Sequence, residues 1–264
     1  MSNGILADSR WLPVSWARVG AASAVISAML LAGCGGTSIP SQSGTLANAA
    51  ITSGEKPKKF NPFVEEDTTL GKRVVIENPT IAQVMQPGAL PERSIGRADA
   101  PITVIKYASM TCPYCREFQA KTFPVLKKRY IDTGKVRLIL REFPIGFQSG
   151  AATIALRCVA EDKYFAAYGA LMKGQSTWIS QQVRREPIWK IVRKFGLSRA
   201  AFDACYEDKA LIANLNTVKD RGRTLGVIGT PNFFVNGKLY KRVLTMTDFD
   251  RAVTGGLATA AAQN

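Results

Sequence analysis

Cys112, Pro113, Tyr114 and Cys115, within "SMTCPYCREF" (residues 109–118), set two thiols about one helical turn apart. A pair so spaced can ligate a metal, exchange disulfides or simply pack. The 264-residue chain contains no histidine. That excludes Ser-His-Asp and Cys-His nucleophiles and every zinc site with an imidazole ligand. Arg116 rather than histidine follows Cys115, which removes c-type haem attachment. Structural zinc needs four ligands and the pair offers two. Cys158 and Cys205 lie in helical patterns unlike a metal knuckle, so no metal is expected.

The N-terminus bears on which chemistry the thiols can do. Arg10 and Arg18 precede an apolar run from Ala21 to Ala32. That run is too short to span a bilayer core, which takes roughly 20 apolar residues, and it suits a signal-peptide core. It ends in "LLAGC", residues 30–34, which resembles the lipobox of bacterial lipoproteins. The resemblance implies cleavage after residue 33, a lipid on Cys34 and a membrane anchor; an ordinary signal peptide or an uncleaved anchor, with Cys34 incidental, is the alternative. Both readings send the protein out of the cytoplasm, where disulfides persist. Of the five cysteines, one then goes to lipid and two form the CxxC. Cys158 and Cys205 remain, and an even remainder points to a second disulfide. Both positions also suit the buried face of a helix, where a free thiol packs well. A bond between them would stabilise by roughly 4 kcal/mol in the chain-entropy account.

The elements that must position the CxxC can be read around it. Residues 34–59 are rich in Gly, Ser, Thr and Ala, as expected of a flexible tether. Residues 60–94 form an extension with no assigned role; "KRVVIENP" could be a short strand and "TIAQVMQPG" a helical turn or two. Ile102 to Ala108 is β-rich and almost wholly apolar, which predicts a strand buried on both faces. The CxxC follows it and opens a helix in which Pro124 is a candidate kink. Residues 135–144 alternate Val136, Leu138 and Leu140 and predict a second strand. A strand-helix-strand unit of this length is a right-handed crossover between parallel strands. A helical block follows, with Ser149 and Ser198 as candidate caps and a helix opening after Pro187. Then "NFFV", "NG" and "KLYKRV" predict a hairpin, and a last helix starts near Thr247.

A cysteine that ends a buried strand and opens a helix meets unpaired N–H groups and the positive end of the helix dipole. Both favour thiolate at Cys112. Pro113 fits the first turn, where its missing N–H costs nothing. Cys115, one turn on, can donate its S–H to Cys112 or bond to it. Such settings lower thiol pKa values to about 3.5–7.5. A stabilised thiolate is a good leaving group, which makes the disulfide reactive.

"ADAPITVIKYASMTCPYCREF", the strand ending "REFP", and "GVIGTPNFFVNGK" resemble the DsbA-like branch of the thioredoxin superfamily. The resemblance covers roughly residues 95–255. It implies an α/β thioredoxin fold over residues 95–264 with a helical domain inserted at about 147–225. It implies that Cys112 is the exposed attacking sulfur and Cys115 the buried resolving one, tuned by Pro113 and Tyr114. It also implies that Thr230 and Pro231 form a cis-proline loop beside the disulfide that guides the substrate chain. The redox-active disulfide itself would serve in place of a dissociable cofactor.

Two departures from the family stand out. Tyr114 occupies a position where many family oxidants have histidine, which implies a milder oxidant. Lys106, six residues before Cys112, stands where the family often has a buried acid. A lysine on an apolar strand must find a partner or lose its charge; a structural salt bridge, with Glu142 as the candidate partner, is expected, and a catalytic role is the alternative. The formal net charge is +15. "QQVRREPIWKIVRKF" mixes cations and aromatics, but its apolar residues share one face, so an amphipathic helix is expected and nucleic acid is not. The expected function is a thiol-disulfide oxidoreductase, most of all a disulfide-forming oxidase, tethered in the periplasm of a Gram-negative bacterium. Its partners would be exported proteins with cysteines and a redox partner that recycles the pair. A reductase or isomerase, or a non-enzymatic chaperone or scaffold, is the alternative.

Overall fold

The computed structural model describes the backbone of residues 74–262 and the side chains of residues 74–258. Residues 1–73, and with them the expected leader, Cys34 and the expected tether, lie outside the described residues. Strands β1 (Arg93–Ile95), β2 (Ile102–Ala108), β3 (Val136–Glu142), β4 (Asn232–Val235) and β5 (Lys238–Tyr240) form one sheet in the order β1-β3-β2-β4-β5. Only β2 and β3 run parallel, with Val104 opposite Leu138 and Lys106 opposite Leu140. β1 pairs antiparallel with β3, β4 with β2, and β5 with β4.

The apolar run of β2 follows from its central place. Ile102 and Val104 face one side, packed with Phe118, Leu126, Phe233 and Phe249. Ile105 and Tyr107 face the other, with Ile139, Phe143 and Phe234. Successive side chains alternate between faces, so Lys106 falls on the side of Ile102 and Val104. The hairpin between β4 and β5 turns at Asn236 and Gly237, both at positive φ (45° and 82°), as a type I′ turn demands. The returning strand stops at Tyr240, short of the run through Val243. Residues 74–79 contain no strand. Ile76 donates a single backbone bond to the Thr224 carbonyl, which is less than a ladder.

Ten α-helical segments are present among the described residues: α1 (Ile81–Met85), α2 (Pro113–Glu117), α3 (Phe123–Leu126), α4 (Gly146–Arg157), α5 (Tyr164–Lys173), α6 (Gln175–Trp178), α7 (Arg185–Val192), α8 (Arg199–Cys205), α9 (Lys209–Thr224) and α10 (Met246–Ala262). The helix opened by the CxxC runs on through π turns at Phe118–Thr122 and Lys127–Ile131, either side of α3. Pro124 has no N–H to give an α-helical ladder. The Phe123 N–H reaches five residues back to the Phe118 carbonyl, so the wider turn takes up the misfit.

Helices α4 to α9 lie between β3 and β4 and carry their own core, built from Ile154, Leu156, Tyr164, Leu171, Trp178, Phe202 and their neighbours. That core also takes in Met110 and Cys115, so the CxxC sits where sheet and helical block meet. Ser198 caps α8 by accepting from the Ala201 N–H. Ser149 caps nothing: α4 begins at Gly146, and Ser149 is buried within it. Pro187 is likewise the third residue of α7, not the first.

Candidate active site

Cys112 is the N-cap of α2, in extended conformation, and its sulfur accepts the Cys115 N–H at 3.3 Å. Pro113 occupies the first turn. The half-buried Cys112 thiol donates to the Thr230 carbonyl at 3.0 Å. Thr230–Pro231 is a cis peptide, and it immediately precedes β4, which pairs with β2. Two segments 118 residues apart thus meet because β2 and β4 are neighbours in the sheet, with the CxxC leaving one strand and Pro231 entering the other. Cys112 and Cys115 are free thiols.

The two sulfurs titrate in opposite directions. Cys112 is lowered to about 5, first by the hydrogen bond from the Cys115 side chain, against the opposing effect of burial. The Thr230 side chain and the backbone N–H groups of Cys115 and Tyr114 add to the lowering. The Thr230 hydroxyl is buried without a hydrogen-bond partner in the dithiol form, which leaves it available to the thiolate. The Thr230 carbonyl, by contrast, accepts only from the protonated thiol. Cys115 is fully buried, and burial followed by its bond to Cys112 pushes its thiol well above the ordinary value. The Tyr114 side chain is exposed.

A layer of polar groups beneath the motif holds it in place. The Gln175 amide donates to the carbonyls of Met110 (2.7 Å) and Cys112 (3.2 Å), fastening the start of α2 to the helical block. Ser149 accepts from the Met110 N–H at 2.9 Å and shares a 2.8 Å hydrogen bond with Ser109. Ser109 in turn accepts from the Ile145 N–H at 3.2 Å. Gln175 and Ser109 carry no pattern that marks them in the sequence. A lone buried amide or hydroxyl is recognised only by the carbonyl it faces.

Lys106 does not pair with Glu142. Its ammonium group lies 3.1 Å from the Tyr168 hydroxyl and 4.2 Å above the Phe118 ring. Glu142 is instead held by Arg157 and accepts from the Tyr164 hydroxyl at 2.6 Å. Glu142 shares the face of Lys106 but sits one step along the sheet, at the register of Ala108, where Arg157 and Tyr164 claim it. Burial lowers Lys106 to about 8, against the raising effect of Cys115 and Cys112. Cys158 and Cys205 are joined in a disulfide that ties the end of α4 to the end of α8. Among the described residues no cluster of metal-ligating side chains is present.

A strand delivering a paired thiol to a helix N-terminus beside a cis-proline, with a helical domain between β3 and β4, defines the thioredoxin class in its DsbA-like form. The family model described as thioredoxin matches residues 89–254, and the chain belongs to that family. The structure of alpha-DsbA1 from Wolbachia pipientis superposes with a TM-score of 0.64 at 26% identity, covering 70% of this chain and 99% of that one. BdbD from Bacillus subtilis shares the fold at 20% identity, with a TM-score of 0.58 over 71% of this chain and all of that chain (100%). A Rickettsia bellii protein named "Putative protein-disulfide oxidoreductase" is 34% identical over 148 residues, 54% of this chain and 56% of that protein. The chain thus spans little more than half of that relative's length. "Probable disulfide bond formation protein D" of Bacillus anthracis is 30% identical over 156 residues, 56% of this chain and 71% of that protein.

Proposed function

We propose that this protein is a thiol-disulfide oxidoreductase that forms disulfides in exported proteins. The observation that carries the reading is the Cys112 sulfur, lowered to about 5 and set 3.0 Å from the Thr230 carbonyl, beside a buried Cys115. In the oxidised protein a substrate thiolate attacks Cys112, the accessible sulfur of the disulfide. The Cys112–Cys115 bond breaks, and Cys115 takes a proton in its buried setting. The substrate's second thiolate then attacks its own sulfur in the mixed disulfide. Cys112 leaves as a thiolate, stabilised by the donors at the start of α2, and the two electrons stay on the protein. A separate redox partner must remove them before the next cycle. No dissociable cofactor enters any step.

The same features support the oxidising direction. Donors that stabilise the Cys112 thiolate stabilise the reduced protein, which raises the tendency of the disulfide to take electrons. The names of the Wolbachia and Bacillus relatives accord with that direction. Thr230 and Pro231 would guide an extended substrate chain, while Pro113 and Tyr114 border a cleft of about 710 Å³ that runs to Gly169 and Met172 of α5. Tyr114, Ile145 and Ile228 are exposed around the same end of the sheet and suit unfolded chains with apolar side chains. The lipobox-like residues 30–34 support a tether through Cys34 to a periplasmic membrane surface. No described helix is long and apolar enough to cross a membrane.

Oxidation of a reduced, unfolded dithiol substrate by the wild type and by Cys112→Ala tests the reading. The wild type is expected to form substrate disulfides stoichiometrically and Cys112→Ala none. Equal yields from both proteins would leave a binding or chaperone role in place of the enzyme.

A further inference from the structure

The cleft beside the thiol pair carries charge that disulfide exchange as described leaves unused. Its walls are the first turns of the CxxC helix and the end of α5, and it encloses about 710 Å³. Three cations, Arg116, Lys121 and Lys173, and one carboxylate, Glu117, line it. Glu117 pairs with Lys121 at 2.8 Å. Among the described residues the Arg116 and Lys173 side chains meet no acid, and the Gln119 carboxamide, also in the lining, has no hydrogen-bond partner. Gly169, inside α5, keeps the space open. A Cβ there would already touch the Gln119 amide at 3.7 Å, and a longer side chain would enter the cleft. Both cation-bearing segments are fastened to one atom of the active site. The Cys112 carbonyl accepts the Arg116 N–H at 3.1 Å and the Gln175 amide at 3.2 Å. That amide, just past Lys173, also lies 3.5 Å from the Met172 sulfur.

Resting on the reading of Cys112 and Cys115 as an exchanging couple, we propose that this cleft is a carboxylate-binding subsite. It selects substrate chains that carry Asp or Glu close in sequence to the cysteine being oxidised. Arg116 leaves its helix one turn, about 6 Å, beyond Cys112. An extended chain held at the Cys112 sulfur covers that distance in about two residues, and the length of the two side chains extends the reach to about four. The Arg116 guanidinium can grip a carboxylate through two parallel N–H bonds. The Lys173 ammonium and the Gln119 amide add donors from the same lining. The exposed apolar side chains around the sulfur thus accept an unfolded chain, and the cleft reads its charge. Arg116 and Lys173 determine specificity here; no electron or proton passes through them.

Single-turnover oxidation of short unstructured dithiol peptides by the oxidised full-length protein tests this. Matched peptides carry either Glu or Gln two and three residues from the first cysteine. Rates are taken per substrate thiolate, because a neighbouring carboxylate raises the thiol's own pKa. An exposed ion pair is worth a factor of about 1.4–5, so two should make the wild type favour the Glu peptide about fivefold in low salt. Arg116→Gln with Lys173→Gln should bring that preference close to one and leave the rate on the Gln peptide unchanged. Arg193→Gln with Lys194→Gln removes two exposed cations that do not line the cleft and should keep the wild-type preference. No preference in the wild type overturns the inference without any variant. So does a preference that survives the first pair of substitutions, or one that falls equally with the second, which would assign it to the chain's net charge of +15. Failure of the wild type to oxidise either peptide would instead overturn the exchange reading itself.

Discussion

Acidifying the reduced protein should remove a defined part of its stability through one sulfur. Cys112 titrates at about 5 in the folded state and at about 8.5 in an unfolded chain. The folded value is the lower, so this contribution is fully present above the unfolded value and is lost as pH falls through the folded one. At pH 7 the two values differ in effect by about two units, or about 3 kcal/mol. Cys112 is partly exposed, and solvent screening reduces that to about 1–2 kcal/mol. Urea unfolding of reduced wild type and reduced Cys112→Ala, from pH 7 to pH 4, isolates the term from the carboxylates the two proteins share. The wild type's advantage at pH 7 should shrink to near zero by pH 4. Thiolate absorbance should fall with a midpoint near pH 5 over the same range. A midpoint near 8.5, with a stability difference that does not move, would refute the claim that the start of α2 ionises this sulfur, and the disulfide would then have no good leaving group.

Three further outcomes are expected. Cys115→Ala removes the largest cause of the Cys112 shift, so the midpoint of iodoacetamide alkylation should rise by about one pH unit or more, whereas an unchanged midpoint would assign the shift to the backbone donors alone. Gln175→Leu strips the Met110 and Cys112 carbonyls of their shared donor and should cost about 1–3 kcal/mol in denaturant unfolding, with slower substrate oxidation at saturating substrate; wild-type stability would show that water replaces the amide. Gly222→Ala on α9 would set a methyl group 2.7 Å from the Tyr107 ring and 3.2 Å from Phe143, an overpacking expected to cost about 1–3 kcal/mol and measurable as a lowered Tm.

What could be read without coordinates is what short-range pattern encodes. The apolar run from Ile102, the alternation after Val136 and the Asn236–Gly237 turn declare their elements because strand pleat and turn sterics act over a few residues. The same holds for the dipole argument at Cys112, which needs only a strand ending where a helix begins. Helix starts were less legible. Ser149 has the residue type of a cap, yet its hydroxyl is spent on Ser109 and Met110, because a serine serves whichever buried donor lies nearest. The partner of Lys106 was misread for a related reason. Its strand position fixes the face it points to, but Tyr168 reaches that face from a helix 62 residues away, while Glu142 is claimed by Arg157 and Tyr164.

The sequence by itself determined the thiol pair, its place between strand and helix, and the alternating order of elements that a thioredoxin sheet requires. Only the tertiary structure decided what surrounds the sulfurs: the Thr230 carbonyl 3.0 Å from Cys112, the Gln175 amide beneath it, and a lysine with a hydroxyl and two rings for company. Periodicity and capping are local energies, written in neighbouring residues. Burial of a charge and the choice of its partner are settled by which distant elements pack together, and no window of sequence contains both sides of that contact.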